Sequence, residues 1–247
     1  MKTGDIIQMG VHRLAIGDST DKELVNKLMD GKKARMICTD PPYDVDYVAG
    51  KKDFVKLGKA DSVDIENDGF QTDDEYVLFT YNWMKAIAPH MDSYNSYYIF
   101  NNNMMYCALR EGILKAGFNY SQMIIWLKNT VVIGRKDYLP QHELIAYGWF
   151  KRHKFERSKG KSVIFHAKPA KSKLHPTMKP VGLLRKLIEN SSKPREIVYE
   201  PFAGSGSTFI ACDHLKRACY GVEMSTDYAK TIVARWEKLT GDKAKVL

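Results

Sequence analysis

The chain has 247 residues, of which 44% are hydrophobic and 27% charged, and its formal net charge is +9. This composition excludes a disordered or collagen-like protein, and the length favours a single domain over residues 1–247. No apolar run is long enough to span a bilayer and no signal peptide follows Met1, so we expect a cytoplasmic protein without a membrane partner. The four cysteines form no C-x-x-C pair, and neither a disulfide framework nor a metal site is expected.

The predicted elements alternate between strands and helices along the chain. Strands are predicted at 12–16, 34–38, 97–100, 122–127, 144–147, 197–199 and 219–222, and helices at 22–29, 73–88, 108–116, 181–190, 207–215 and 227–239. This alternation predicts an α/β fold with a mainly parallel twisted sheet and helices on both faces. Ligands of such sheets bind beyond the carboxyl ends of the strands, so the loops that follow strands are the places to look for chemistry.

The first such loop is Asp-Pro-Pro-Tyr at 40–43. An exocyclic amine on an aromatic base is a poor nucleophile because its lone pair is delocalised, and a catalyst must hold both of its hydrogens. Asp40 offers a carboxylate, and the fixed φ of Pro41 and Pro42 can hold a backbone carbonyl outward as the second acceptor. Tyr43 offers a flat face on which an extruded base can stack. A proline-stiffened turn with a capping aspartate is the alternative interpretation.

The second loop, at 200–208, contains Gly204 and Gly206 and leads into a helix. The glycines allow the backbone to approach a ligand closely, and the helix start adds a positive dipole end. The loop lacks the third glycine of a dinucleotide fingerprint and the lysine of a phosphate-binding loop. Glu223 ends the next strand, where a carboxylate can accept hydrogen bonds from both hydroxyls of a ribose. Together these features indicate a nucleoside ligand without a phosphate requirement; a tight strand-to-helix turn is the alternative.

A basic segment between residues 151 and 173 contains nine Lys or Arg and one acid, Glu156. Its cations can neutralise phosphates, which makes it the predicted nucleic-acid contact, although a solvated basic face is the alternative. The segment at 44–71 is either a lid over the site or an ordinary surface loop. The predicted phosphate contacts are Lys151, Arg152, Lys154, Arg157, Lys159 and Lys161.

The motifs at 40–43 and at 202–206, Phe-Ala-Gly-Ser-Gly, resemble the amino-methyltransferases that modify adenine N6 or cytosine N4 in DNA. The catalytic motif precedes the cofactor motif, as in the β class of that family. His-Pro-Thr-Met-Lys-Pro at 175–180 and Arg-Trp-Glu at 235–237 also resemble segments of this class. The resemblance implies a Rossmann-like methyltransferase fold with a circularly permuted motif order and a short DNA-recognition insertion at about 150–174.

The resemblance further implies S-adenosylmethionine as cofactor, S-adenosylhomocysteine as product and double-stranded DNA as substrate. Asp40 and the Pro41 carbonyl would take the amino hydrogens, and Tyr43 would stack on the flipped base. Lys179 would reach the methionine carboxylate, unless it is a surface lysine at a helix start. Glu200 replaces the family's usual aspartate and is one methylene longer. The implied cofactor contacts are Asp18, Thr177, Lys179, Glu200, Phe202, Ala203, Gly204, Ser205, Gly206, Thr208 and Glu223.

Adenine N6 is the expected target because serine in place of Asp40 is the more usual sign of cytosine N4 chemistry in this family. Cytosine N4 stays open as the nearest alternative. Methylation of RNA or of a protein amide is a second alternative, although those relatives mostly begin the motif with asparagine. A non-catalytic DNA-binding protein on the same scaffold is a third. A homodimer and a cognate restriction enzyme also stay open.

Overall fold

The computed structural model describes residues 1–42, 72–131, 137–157, 159–168 and 178–247. The helices are α1 (Lys22–Met29), α2 (Asp73–Ile87), α3 (Tyr106–Lys115), α4 (Val181–Ser191), α5 (Ser207–His214) and α6 (Thr226–Thr240), with a 3-10 turn at Ala88–His90. The strands are β1 (Ile6–Met9), β2 (His12–Ile16), β3 (Ala34–Thr39), β4 (Met91–Asn101), β5 (Asn119–Leu127), β6 (His142–Trp149), β7 (Arg152–His153), β8 (Val163–Phe165), β9 (Ile197–Glu200), β10 (Ala218–Glu223) and β11 (Lys245–Val246).

One sheet connects these strands in the order β11-β1-β2-β10-β9-β3-β4-β6-β5-β8, with β7 paired to β4. The five central strands are all parallel, and their order is β2-β10-β9-β3-β4. Antiparallel strands flank them, with β1 and β11 on one side and β6 and β5 on the other. The prediction of a mainly parallel sheet is confirmed. Because β3 lies beside β9, the two predicted loops leave neighbouring strands although they are far apart in sequence.

Helices cover both faces of the sheet, as predicted, and each face has its own hydrophobic core. Trp83 of α2 and Leu109 of α3 belong to the core on one face. Leu187 of α4 and Trp236 of α6 belong to the core on the other face. Strand β3 is buried at every position, because it lies near the centre of the sheet and supplies side chains to both cores.

Local sequence signals set several helix ends. The hydroxyl of Thr72 accepts a hydrogen bond from the Glu75 amide at 3.3 Å, and the Glu75 carboxylate accepts one from the Thr72 amide at 3.1 Å. This capping box starts α2 at the residue that the sequence predicts. Asp21 caps α1 in a similar way, and Gly241, with φ of 80°, ends α6 in the left-handed conformation.

The structure extends some predicted strands and adds others. The predicted strand at 97–100 begins already at Met91, because the polar residues before Tyr97 continue the pairing with β3 and β7. Strands β1, β7, β8 and β11 were not predicted; each has at most four residues and is ordered by its partner. The segment at 44–71 lies outside the described residues. Within the described ranges, no helix is long and apolar enough to cross a membrane.

Candidate active site

Four loops meet at the carboxyl edge of the parallel strands. Asp40 follows β3, the glycine loop at 201–206 follows β9, Glu223 ends β10, and Gly17 follows β2. The register pairs Ile37 with Tyr199 between β3 and β9, so the loops after these two strands lie next to each other. The structure therefore brings together the two loops in which the sequence predicts the chemistry.

The carboxylate of Asp40 is held on one side by Lys179. The Lys179 ammonium donates a hydrogen bond to Oδ2, whereas Oδ1 is buried and has no hydrogen-bond partner among the described residues. Burial raises the pKa of Asp40, against the opposing effect of the Lys179 charge. Lys179 is only 7% exposed, so the alternative of a surface lysine is wrong. Its contact with the methionine carboxylate of the cofactor stays a prediction. An unsatisfied buried carboxylate oxygen needs a donor, and an amino group would supply one.

Two further charged side chains extend this contact. Lys179 Nζ lies 3.2 Å from Oε2 of Glu143, and Oε1 of Glu143 lies 2.7 Å from Lys128 Nζ. Burial raises the pKa of Glu143, but the two ammonium groups outweigh it and hold that pKa below its ordinary value. Neither Glu143 nor Lys128 was predicted as a site residue. The available signal was an acid at the start of an apolar strand, and only the antiparallel pairing of β6 with β4 shows that this start faces the site.

The glycine loop is fastened by Glu223. Its Oε2 accepts a hydrogen bond from the Gly204 amide at 2.6 Å, and its Oε1 accepts one from the Ser225 amide at 2.9 Å. A carboxylate accepts hydrogen bonds through both oxygens, which is the chemistry that a ligand such as a ribose diol requires. Gly204 and Gly206 have φ of 51° and 80°, the left-handed region that glycine adopts without steric cost.

Strand β2 brings Asp18 to the same place. Ile16 pairs with Glu223, and the Gly17 amide donates to the Glu223 carbonyl at 2.9 Å. Strand β2 therefore lies beside β10, and Asp18 stands at the same edge of the sheet as Glu223. Asp18 is exposed and accepts a hydrogen bond from the Thr20 amide at 2.8 Å, while the Ser19 hydroxyl is buried without a partner among the described residues. The Asp18 carboxylate and the Ser19 hydroxyl, both beside Glu223, are groups that can form hydrogen bonds with a nucleoside.

Phe202 and Ala203 form a wall of the glycine loop. The Phe202 ring packs on Phe79 at 5.5 Å between centroids and edge-to-face on Trp83 at 5.6 Å. The Ala203 amide donates to the Val222 carbonyl at 2.9 Å, which ties the loop to β10. Helix α2 therefore supports the loop from behind with aromatic side chains, and Phe202 stays partly exposed.

Comparison with known proteins places the chain in a family. The family model for DNA methylases, N6_N4_Mtase, matches residues 34–234. The chain belongs to this DNA methylase family. Over 230 residues it is 26% identical to the type II methyltransferase M.HpaI of Haemophilus parainfluenzae. The aligned part covers 82% of this chain and 68% of M.HpaI.

The fold of this methylase is similar to solved structures. The SAM complex of M1.HpyAVI matches with a TM-score of 0.66 and 24% identity, over 90% of this chain and 98% of that one. PvuII DNA methyltransferase, described as cytosine-N4-specific, matches with a TM-score of 0.65 and 17% identity, over 92% of this chain and 89% of that one. These likenesses confirm the predicted Rossmann-like fold.

Glu200 of the methylase points into the protein. Its carboxyl accepts hydrogen bonds from the hydroxyls of Thr39 and Thr208, the latter at 2.7 Å, and from the Phe202 amide at 3.2 Å. Burial raises the pKa of Glu200 to about 8. The structure thus places Glu200 and Thr208 behind the glycine loop, where they link it to the residue before Asp40. A direct contact of either with a cofactor stays a prediction.

The first part of the basic segment lies at the other edge of the sheet. Strand β7 pairs Arg152 with Tyr94, near the start of β4. The buried Arg35 anchors the segment, since it contacts the Lys154 carbonyl at 3.1 Å and the Glu156 carboxylate at 2.9 Å. The structure does not bring Lys151, Arg152, Lys154, Arg157 or Lys159 to Asp40. Their contact with DNA stays a prediction.

Among the described Lys and Arg residues of the basic segment, Lys168 lies at the carboxyl edge of the sheet. It follows β8, whose last residue Phe165 pairs with Leu127 at the end of β5, and its amide donates to Asn129 Oδ1 at 2.9 Å. Lys161 lies between the two edges, just before β8. The predicted site residues Tyr43 and Thr177 lie outside the described residues.

Proposed function

We propose that this methylase transfers a methyl group from S-adenosylmethionine to the exocyclic amino group of a flipped base in double-stranded DNA, and that the base is adenine. The observation that carries the proposal is the Asp40 carboxylate. It stands at the carboxyl end of β3, beside the glycine loop, with one oxygen held by Lys179 and the other without a donor among the described residues.

For this reaction the active site must hold the amino nitrogen in line with the methyl donor. Asp40 Oδ1 accepts one amino hydrogen, and the carbonyl of Pro41 accepts the other, which draws the nitrogen toward tetrahedral geometry. Tyr43 stacks on the base that has left the duplex. Bound S-adenosylmethionine supplies the methyl group from its sulfonium.

Charge development in this transfer explains the carboxylate. The nitrogen lone pair forms a bond to the methyl carbon while the carbon–sulfur bond breaks, and the surplus amino proton then leaves to solvent. The attacked nitrogen becomes positive during this step, and the fixed charge of Asp40 favours it. S-adenosylhomocysteine is the other product.

The donor set at the glycine loop supports the choice of cofactor. We assign the ribose hydroxyls to the Glu223 carboxylate, which also holds the Gly204 and Ser225 amides, and the adenine to the polar groups of Ser19 and Asp18 beside it. Phe202 and the backbone of Gly204 and Gly206 wall the methionine part in this proposal. A structural relative, M1.HpyAVI, is known as a SAM complex.

Double-stranded DNA must approach the carboxyl edge, because the flipped base has to reach Asp40. We assign the nearest phosphate contact of the basic segment to Lys168, and long-range attraction of DNA to the cations at the other edge, such as Lys151 and Arg152. Type II methyltransferases among the relatives support DNA as the substrate.

Cytosine N4 is the second candidate target, and the similarity in fold to the cytosine-N4-specific PvuII enzyme favours it. Mass analysis of nucleosides decides between the two after the purified methylase has acted on unmethylated DNA with isotopically labelled S-adenosylmethionine. We expect labelled N6-methyladenine. Labelled N4-methylcytosine would overturn the adenine assignment, and the absence of label in DNA, with label in RNA or protein run in parallel, would overturn the DNA assignment.

A further inference from the structure

We propose that Glu143 is a positioning residue for methyl transfer: together with Lys128 and Lys179 it forms a largely buried chain of alternating charges that fixes the Asp40 carboxylate with Oδ1 toward the base. This inference rests on the proposed function. It adds to the catalytic loop a residue that touches neither the base nor the cofactor and that acts through Lys179.

The chain of charges is continuous. Lys128 Nζ lies 2.7 Å from Glu143 Oε1, Glu143 Oε2 lies 3.2 Å from Lys179 Nζ, and Lys179 donates to Oδ2 of Asp40. The four side chains come from four places in the fold: the end of β5, the start of β6, the turn before α4 and the end of β3. Lys128 and Lys179 are both less than a tenth exposed.

Charge balance explains why such a chain can be buried at all. Two ammonium groups face two carboxylates, so the set is neutral, and each buried charge touches an opposite one. The Lys179 ammonium also lies 5.2 Å from the centre of the Phe100 ring, which adds a cation–π contact. If Glu143 lost its charge, Lys128 would keep an uncompensated charge in a mostly buried place.

The geometry explains the positioning effect. A lysine side chain is long and has several rotatable bonds, so a single contact with Asp40 would not fix its ammonium. Glu143 restrains the same ammonium from a second direction. With Oδ2 bound to a restrained donor, rotation of the Asp40 carboxylate breaks that contact, and Oδ1 is left as the oxygen that can accept an amino hydrogen.

Several charged groups act on Asp40, and their signs differ. Lys179 and Lys128 favour its ionised form, whereas Glu143 disfavours it. Glu200 and Cys38 also lie within electrostatic reach of Asp40, and Lys168 lies within reach of the three partners in the chain. Loss of the Glu143 charge therefore lowers the pKa of Asp40, and loss of the Lys179 charge raises it.

The test uses the full chain with Glu143→Gln, Lys179→Met and a matched control, Glu111→Gln, which removes an acid from an exposed pair with Lys115 on α3. Single-turnover rates of methyl transfer to DNA are measured across pH, with the dissociation constants for DNA and S-adenosylmethionine. We expect E143Q to slow the transfer roughly tenfold or more, since small misplacements of a reacting group are costly, while both dissociation constants stay within about twofold.

The pH profile separates positioning from a merely structural role. The acidic limb of the rate, where Asp40 takes up a proton, is expected to move to lower pH in E143Q and to higher pH in K179M. E111Q is expected to match the wild type. If E143Q does not fold, Glu143→Asp keeps the charge and shortens the reach, and it is expected to slow the transfer without moving the acidic limb.

A wild-type rate in E143Q, or in E143D if that variant is needed, would overturn the inference, and so would shifts of the same sign in E143Q and K179M. A wild-type enzyme that methylates no DNA would overturn the proposed function itself. The two failures are therefore distinguishable in one series of measurements.

Discussion

The carboxylate of Glu223 holds the backbone of Gly204, whose amide donates to Oε2 at 2.6 Å. Its other oxygen accepts from the Ser225 amide at 2.9 Å at the start of α6. One side chain thus fixes the glycine loop relative to the neighbouring strand and helix.

Glu223→Ala should therefore weaken cofactor binding and the fold together. The Gly204 and Ser225 amides lose their acceptor, which costs on the order of 1–3 kcal/mol of unfolding free energy for each group that stays buried. The dissociation constant for S-adenosylmethionine, measured by calorimetry, should rise at least about tenfold, equivalent to one ribose hydrogen bond to a charged group. An unchanged dissociation constant in the folded variant would contradict the assigned role of Glu223.

Glu200 should make the stability of the methylase depend on pH. Burial raises the pKa of Glu200 from its ordinary 4.5 to about 8, so the folded chain keeps a proton that the unfolded chain releases in this window. The contribution is complete below the ordinary pKa and is lost as the pH rises through about 8. Glu200→Gln is neutral at every pH. Between pH 4.5 and about 8, its unfolding free energy relative to that of the wild type should therefore rise by roughly 1.4 kcal/mol per pH unit. Urea unfolding between pH 5 and pH 8 measures it; parallel curves for the two proteins would contradict the expectation.

Gly206→Ala should disturb the glycine loop, and Gly241→Ala provides the matched control. Both glycines have φ of 80°, but a β-carbon at Gly206 would lie 3.1 Å from Ile232, whereas one at Gly241 would meet nothing within 4 Å. Each substitution costs about 1–2 kcal/mol for the left-handed backbone. We expect an additional loss of unfolding free energy and of S-adenosylmethionine affinity in G206A alone. Equal effects of the two variants on cofactor binding would speak against a tight loop at Gly206.

The two edges of the sheet should differ in their contribution to DNA binding. Lys168→Ala removes the proposed phosphate contact at the carboxyl edge and should reduce the salt dependence of DNA affinity by about one charge. The double variant Lys151→Ala, Arg152→Ala should slow association at low salt and leave the single-turnover rate at saturating DNA unchanged. Binding measured over a salt series tests both, and a larger loss of affinity in the double variant would assign the main contact to the opposite edge.

Much of the fold could be predicted because local signals and tertiary structure agree. Helix α2 begins at the capping box of Thr72 and Glu75, and β3 and β9 are apolar runs followed by loop residues. Strands β1 and β7 could not be predicted, because each is short and is ordered by its partner rather than by its own residues.

The residues of the candidate site also fall into a group that the sequence predicts and a group that it does not. Asp40 and Gly204 stand in motifs at strand ends, where sequence order alone predicts chemistry. Glu143 and Lys128 do not, because a charged residue on or after a strand says nothing about its partner until the antiparallel pairing of β6 and β5 is known. The position of the basic segment depends on the pairing of β7 with the start of β4, which also has no local signal.

Methyl transfer by an Asp40→Ala variant tests the central claim most directly. The wild type and the variant are incubated with DNA and labelled S-adenosylmethionine, and cofactor binding to both is measured by calorimetry. We expect incorporation of label by the wild type and none by D40A. The cofactor dissociation constant of the variant should stay measurable, because Glu223 and the glycine loop are untouched. Full incorporation by D40A would contradict the role of Asp40.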